Sequence, residues 1–140
     1  MVDQHALTSR LSALAGYCDR LEAFRQLSRE EFLGDEDVFQ LAERYLHLAC
    51  ECMLDVAQHV ISDLGLRQPE DYKDTMEVLR EERILGDELA ARLKEWMGFR
   101  NVLVHLYLKI DHGQSYEAIQ ERLEDPRDFG RRITERFIEG

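Results

Sequence analysis

The sequence predicts an all-α protein, a bundle of four to five helices. Apolar residues recur at spacings of three and four along most of the chain, and no segment of useful length alternates with the period of two that marks a β-strand. Only two prolines occur in 140 residues. A chain of this length can bury one core without disulfides or a structural metal, so we expect residues 1–140 to form a single domain.

The first predicted helix spans residues 3–26. Its apolar residues step by four and three, which gives one narrow stripe. Ser28 followed by Glu31 predicts a capping box, in which each side chain bonds the other residue's backbone amide. This box would begin a short turn that ends near Gly34. The stripe consists of Leu7, Leu11, Leu14, Cys18 and Leu21.

The second predicted helix is the longest, running from Asp35 to Leu64 with Gly65 at its C-terminal end. A helix of about 30 residues spans about 45 Å. Because one domain of this size needs less, we expect part of the helix to serve an interface. Its apolar face comprises Val38, Leu41, Ala42, Tyr45, Leu48, Ala49, Cys52, Val56 and Val60.

Three further segments complete the predicted bundle. Pro69 opens a third helix over residues 69–82, and Asp87 caps a fourth that continues past Gly98. A glycine inside a helix costs about 1 kcal/mol relative to alanine, which predicts a close backbone approach or a bend there. A fifth helix follows Gly113 and restarts or continues at Pro126. Expected core residues are Tyr72, Met76, Leu79, Leu89, Leu93, Trp96, Met97, Tyr116, Ile119, Leu123, Phe129, Ile133 and Phe137.

Charge and hydropathy limit the functions that the chain can perform. No run approaches the roughly 18 apolar residues that span a bilayer, and the N-terminus lacks the basic and apolar regions of a signal peptide. We therefore expect a soluble, cytoplasmic protein. The net charge is −11, so the chain has no general attraction for polyanions. Any nucleic acid would have to bind at a local cationic cleft.

The three cysteines agree with a reducing compartment. Cys50 and Cys52 are two residues apart on a predicted helix, so their side chains point about 200° apart and do not suit a shared metal or bridge. Together with Cys18 they make an odd number, which is unusual for a disulfide framework. We expect buried free thiols.

The most informative stretch is residues 98–107, GFRNVLVHLY. It places a permanent cation (Arg100), an amide (Asn101), a group that titrates near neutral pH (His105) and a phenol (Tyr107) within about two helical turns. These groups suit chemistry at a phosphodiester. An arginine can stabilise charge on the phosphate oxygens, and an imidazole can transfer a proton.

This stretch resembles the arginine, four spacers, histidine motif of the HEPN superfamily. The asparagine after the arginine and the tyrosine two places after the histidine resemble the HepT toxins. The resemblance continues in residues 42–61, 65–69 and 108–111, and covers residues 7–138. It implies an HEPN-like, HepT-like domain that acts as a metal-independent endoribonuclease toxin without a cofactor.

The resemblance also implies partners. HEPN ribonucleases are homodimers whose paired motifs line one cleft, and HepT toxins occur with a minimal nucleotidyltransferase antitoxin that binds them or adenylylates a tyrosine. Arg100 and His105 are then the candidate catalytic residues, Asn101 a supporting residue that orients His105 or holds a substrate oxygen, and Tyr107 the candidate site of adenylylation. The sequence leaves open whether Tyr107 instead packs or hydrogen-bonds within the site.

Helical geometry agrees with a shared cleft. At about 100° per residue, Asn101 and His105 fall about 100° and 140° from Arg100, whereas Tyr107 falls about 20° to its other side. One straight helix spreads these groups too widely to hold one phosphate. Either the helix bends at Gly98, or two copies of the motif meet across a symmetry axis.

Three alternatives stay open. An inactive HEPN module could dock a nucleotidyltransferase or bind a nucleotide, although such a role needs none of the four motif residues.

Trp96, Met97 and Phe99 could form either a dimer core or a stripe buried within one subunit. A ladder on the second helix could hold a metal, but its spacing predicts mostly solvated side chains and no metal site, and His112 with Asp111 predicts a turn. The ladder consists of Glu43, His47, Glu51, Asp55 and His59.

Overall fold

All regular secondary structure in residues 2–139, the part of the chain that the computed structural model describes, is helical. The predicted all-α class is confirmed. Met1 and Gly140, the ends of the predicted domain, lie outside the described residues. The segments are more numerous than expected because the short turn after Ser28 is a helix of its own and the last predicted helix is divided. The α-helices are α1 (Gln4–Ala23), α2 (Arg29–Leu33), α3 (Glu36–Asp63), α4 (Tyr72–Glu81), α5 (Asp87–His105), α6 (His112–Glu121) and α7 (Glu124–Thr134).

Local hydrogen bonds set where several helices begin. The predicted capping box at α2 is confirmed, since the Ser28 hydroxyl accepts the Glu31 amide at 3.1 Å and the Glu31 carboxylate accepts the Ser28 amide at 2.9 Å. α4 begins at Tyr72, not at Pro69, because the Asp71 carboxylate caps it by accepting the Asp74 amide at 2.7 Å.

The N-terminus of α5 also differs from the prediction. Gly86 is the N-cap residue, and Asp87 lies in the first helical turn. The Asp87 carboxylate contacts Arg80 of α4 at 3.3 Å instead of capping the helix. The expectation that Asp87 caps α5 is therefore wrong, although an acidic residue in the first turn still favours the helix through its dipole.

The core lies where α1 packs along α3 and α4 packs along α5. The predicted stripe of α1 is buried except for Leu11, which is partly buried. On α3, Leu41 is 48% exposed and does not belong to the core, contrary to the prediction. α3 ends as expected, with Gly65 at φ 63°, a conformation that glycine adopts without strain, and with the Leu66 amide bonded to the Ile61 carbonyl at 2.9 Å.

The apolar face of α5 is buried within one subunit. Trp96 and Met97 are 2% and 0% exposed, and the Trp96 indole donates to Asp125 of α7 at 3.0 Å. These two residues therefore do not form a dimer core. A Cβ atom at Gly98 would lie 3.2 Å from Cε of Lys73. The glycine thus accommodates a side chain from α4, where we had expected another backbone or a bend.

The three thiols are free, as predicted. Cys18 and Cys50 are buried and Cys52 is partly buried. Burial raises the pKa of the Cys18 thiol to about 11 and also raises the pKa of Cys50 and Cys52. No helix within residues 2–139 combines the length and apolar character needed to cross a membrane.

Candidate active site

The motif helix ends earlier than the sequence suggests. α5 ends at His105, because Leu106 leaves the helical conformation at φ −123° and ψ 41°, and Tyr107–Lys109 form a single 3₁₀ turn. Tyr107 is therefore not on the same helix as Arg100. The predicted angle of about 20° between them is wrong, since it assumed an unbroken helix.

Arg100 is buried, with 8% of its surface exposed, and contacts three neighbours. Its Nε donates to Oε1 of Glu51 on α3 at 2.6 Å. Its Nη1 lies 3.4 Å from Oδ1 of Asn101. The guanidinium carbon lies 4.6 Å from the centroid of the Tyr72 ring, the first residue of α4, which is a cation–π distance. Helices α3, α4 and α5 therefore all fix this cation.

Two further residues of α3 extend this cluster. His47 Nε2 lies 3.4 Å from Glu51 Oε1, and Arg44 Nη1 lies 3.1 Å from His47 Nδ1. Arginine only donates hydrogen bonds, so Nδ1 accepts and the ring proton sits on Nε2, facing Glu51. Burial lowers the pKa of His47, and Arg44 and Arg100 lower it further, while Glu51 opposes them. The imidazole is therefore neutral at neutral pH.

The ladder of acidic and histidine side chains, which lies on α3, is less solvated than the sequence predicts. Glu43 is only 5% exposed, and its Oε2 accepts the Ser115 hydroxyl at 2.7 Å and contacts His112 Nδ1 at 2.6 Å. Asp111 caps α6 by accepting the Gly113 amide, and His112 is the first residue of that helix. Glu51 pairs with Arg100. The prediction of solvation fails for Glu43, which α6 covers, whereas Glu51 keeps 37% of its side chain exposed beside Arg100 of α5.

Within residues 2–139, no group of three or more histidine, cysteine or acidic side chains could hold a metal ion. Sequence reasoning missed Glu51, His47, Arg44 and Tyr72 as parts of the site. The i+4 pattern on α3 had drawn attention to Glu51 and His47, but as candidates for metal binding.

The far end of the motif is open to solvent. His105 is exposed, and Leu106, Tyr107 and Leu108 are 47%, 67% and 88% exposed. No hydrogen bond of the described residues joins Arg100 to His105, and Asn101 contacts Arg100 instead of orienting His105. The Tyr107 hydroxyl makes no hydrogen bond within residues 2–139. Within one subunit, Tyr107 is therefore not a packed or internally bonded residue.

Two further cations lie near Arg100 despite the net charge of −11. Arg44 reaches the cluster through His47, and Lys73 lies over Gly98, two residues before Arg100. Lys73 is exposed and forms no ion pair in the described part of the chain. A phosphate that approached this surface would meet these cations together with Glu51, which pairs with Arg100, and Asp74, which follows Lys73 in α4.

Comparison with known proteins identifies the family. The model of the HepT-like ribonuclease family matches residues 14–133. The chain belongs to this family.

Individual relatives agree. The putative RNase YutE of Bacillus subtilis is 33% identical over 91 residues, which cover 65% of this chain and 63% of that protein. A solved structure of YutE, described as a cytosolic protein of unknown function, matches 96% of this chain and 90% of that one with a TM-score of 0.77 and 27% identity. The tRNA nuclease HepT of Aphanizomenon flos-aquae is 29% identical over 132 residues, 94% of this chain and 90% of that protein.

A more distant structure shares the fold. It is a tri-AMPylated HEPN toxin of Shewanella oneidensis in complex with an MNT antitoxin. The TM-score is 0.86 at 22% identity, and the match covers 96% of this chain and 99% of that one. The HEPN-like fold predicted from residues 98–107 is therefore confirmed.

Proposed function

We propose that this protein is a cytoplasmic, metal-independent endoribonuclease of the HepT toxin class, active as a homodimer and restrained by a minimal nucleotidyltransferase. The supporting observation is how the motif residues of this HepT-like chain are held. Arg100 is fixed by Glu51, Asn101 and Tyr72, while His105 stands exposed at the end of the same helix.

The chemistry assigns each residue a role. The 2′-hydroxyl of one nucleotide attacks the adjacent phosphorus and loses its proton, and the bond to the 5′-oxygen breaks as that oxygen gains a proton. His105 transfers one of these protons, because an imidazole exchanges protons near neutral pH. Arg100 binds the phosphate oxygens, where negative charge increases in the transition state. Asn101 supports the guanidinium through its Oδ1.

A second subunit supplies what one subunit lacks. No hydrogen bond joins Arg100 to His105 within the described part of one chain, and Arg100 faces α3 and α4 while His105 faces solvent. A two-fold axis near the end of α5 would bring two copies of each residue into one cleft. Mixed dimers of an Arg100→Ala chain and a His105→Ala chain should then recover part of the activity from complementary halves.

Cleavage of total RNA by purified protein tests the proposal. Arg100→Ala and His105→Ala should each abolish cleavage and growth inhibition, because each removes a group that the reaction requires. Arg132→Ala and His5→Ala, which change the same residue types at exposed positions, are the matched controls and should cleave normally. Cleavage should persist in EDTA.

Each contrary result would contradict a different part of the proposal. Near wild-type cleavage by His105→Ala, with contaminating nuclease excluded, contradicts its catalytic role. Loss of activity on chelation, restored by a divalent ion, contradicts the metal-independent mechanism. Wild-type protein that never cleaves RNA but still binds the nucleotidyltransferase is the result expected of an inactive docking module.

A further inference from the structure

The contact between Glu51 and Arg100 is the shortest that the motif arginine makes, at 2.6 Å. The two side chains are unequal in exposure: the Arg100 side chain is 10% exposed and that of Glu51 is 37% exposed. Glu51 thus supplies the negative charge that a largely desolvated guanidinium requires. No other carboxylate of the described residues pairs with Arg100.

Given the proposed ribonuclease function, on which this inference rests, we propose that Glu51 is a positioning residue that holds Arg100 ready for the scissile phosphate. The donors that Glu51 leaves unused support this role. Glu51 engages Nε, and Asn101 contacts Nη1 at 3.4 Å. Of the five guanidinium N–H groups, three remain on the two terminal nitrogens. Two parallel terminal donors can bind a phosphate in a fork.

Tyr72 and His47 complete the positioning. The Tyr72 ring covers one face of the guanidinium, which restricts rotation of its plane. His47 lies between Arg44 and Glu51, with its Nε2 proton directed at the carboxylate. The order of contacts is Arg44 to His47, His47 to Glu51 and Glu51 to Arg100. Neither His47 nor Glu51 needs to touch RNA for this arrangement to matter.

A competing role for Glu51, masking of Arg100, predicts the opposite effect on activity. If Glu51 masked the charge of Arg100 until substrate displaced it, removal of the carboxylate would raise activity. The contact argues against masking because it occupies Nε and leaves the terminal nitrogens available. Removal of any nearby negative charge also weakens repulsion of RNA, so a control must remove an equal charge from the same helix. Asp55, exposed and one turn further along α3, provides it.

The experiment measures kcat and KM of cleavage for Glu51→Ala, Glu51→Gln and Asp55→Ala. We expect Glu51→Ala to lower kcat roughly 10- to 100-fold, the loss that small misplacements of a catalytic group produce. Glu51→Gln retains an acceptor for Nε and should lose only about threefold to tenfold, since the hydrogen bond loses its charge. Asp55→Ala should keep the wild-type kcat.

Several results would overturn the proposal. Glu51→Ala and Glu51→Gln with wild-type or higher kcat would mean that Glu51 is inert or masks the cation. If Glu51→Ala does not fold, Glu51→Gln alone decides on the same criterion. A wild-type protein without Arg100-dependent cleavage refutes the ribonuclease function itself, a failure distinct from normal cleavage by the Glu51 variants.

Discussion

The two ends of the motif are held very differently. The arginine end, Arg100 and Asn101, is buried or half-buried and contacts Glu51 and Tyr72 on two other helices. The histidine end, residues 105–108, is exposed and begins at the last residue of α5. One subunit therefore holds the cation of the motif in a fixed position but leaves its imidazole and its phenol accessible. The first suits binding of a constant group such as phosphate, and the second suits contact with a second subunit or an enzyme.

The largest expected effect exploits the exposed histidine end. A partner nucleotidyltransferase supplied with ATP and Mg²⁺ should adenylylate Tyr107 and silence RNA cleavage, because a bulky anion beside His105 competes for the cations meant for RNA. Tyr107→Phe should stay active and escape modification. Intact-mass spectrometry with peptide mapping checks both results. AMP found on Tyr72 of the arginine end instead, or no change in mass, contradicts the proposed switch.

The next effect concerns stability and should be confined to the arginine end. Arg100→Ala removes a charged hydrogen bond and the contact with the Tyr72 ring, so we expect the free energy of unfolding to fall by about 1–2 kcal/mol. Glu51 is partly exposed and can rehydrate, which limits the loss. His105→Ala should change stability by less than about 0.5 kcal/mol. Urea denaturation compares the two variants, and equal losses would show that both ends are equally packed.

The smallest effect is a pH dependence of stability. Burial holds the pKa of His47 below its usual 6.5 in the folded state, so the unfolded chain takes up this proton first as the pH falls. The free energy of unfolding should therefore decrease as the pH falls through about 6.5 and continue to decrease down to the folded-state pKa. His47→Gln should reduce this dependence, and His105→Gln should retain it. Denaturation midpoints over this pH range distinguish the two histidines.

The parts that the sequence predicted correctly depend on nearby residues. Ser28 and Glu31 are three apart, so their capping box follows from sequence alone. Gly65 ends α3 for the same local reason. The predicted start of α4 was wrong because Asp71 and Pro69 both favour a helix start. Only the hydrogen bond from the Asp74 amide to the Asp71 carboxylate decides between them.

The parts that were missed depend on residues far apart in the chain. Glu51 and Arg100 are 49 residues apart, and nothing in the pattern of α3 says that its acidic side faces α5. The end of α5 at His105 was also missed, because residues 106–109 are Leu, Tyr, Leu and Lys and contain neither glycine nor proline. The sequence thus indicated the motif residues of the candidate site, but neither their contacts nor the residues of α3 and α4 that surround Arg100.

The buried Glu43 helps to hold the segment that carries Tyr107. By bonding Ser115 and contacting His112 it anchors the start of α6, just as Leu106 marks the end of α5. The segment between them is therefore held at both ends. Because Tyr107 is only two residues after His105, their Cα atoms also stay within about 7 Å of each other. Any group attached to the phenol is present beside the histidine at a high effective concentration. Such a group therefore needs only weak affinity for the site in order to occupy it.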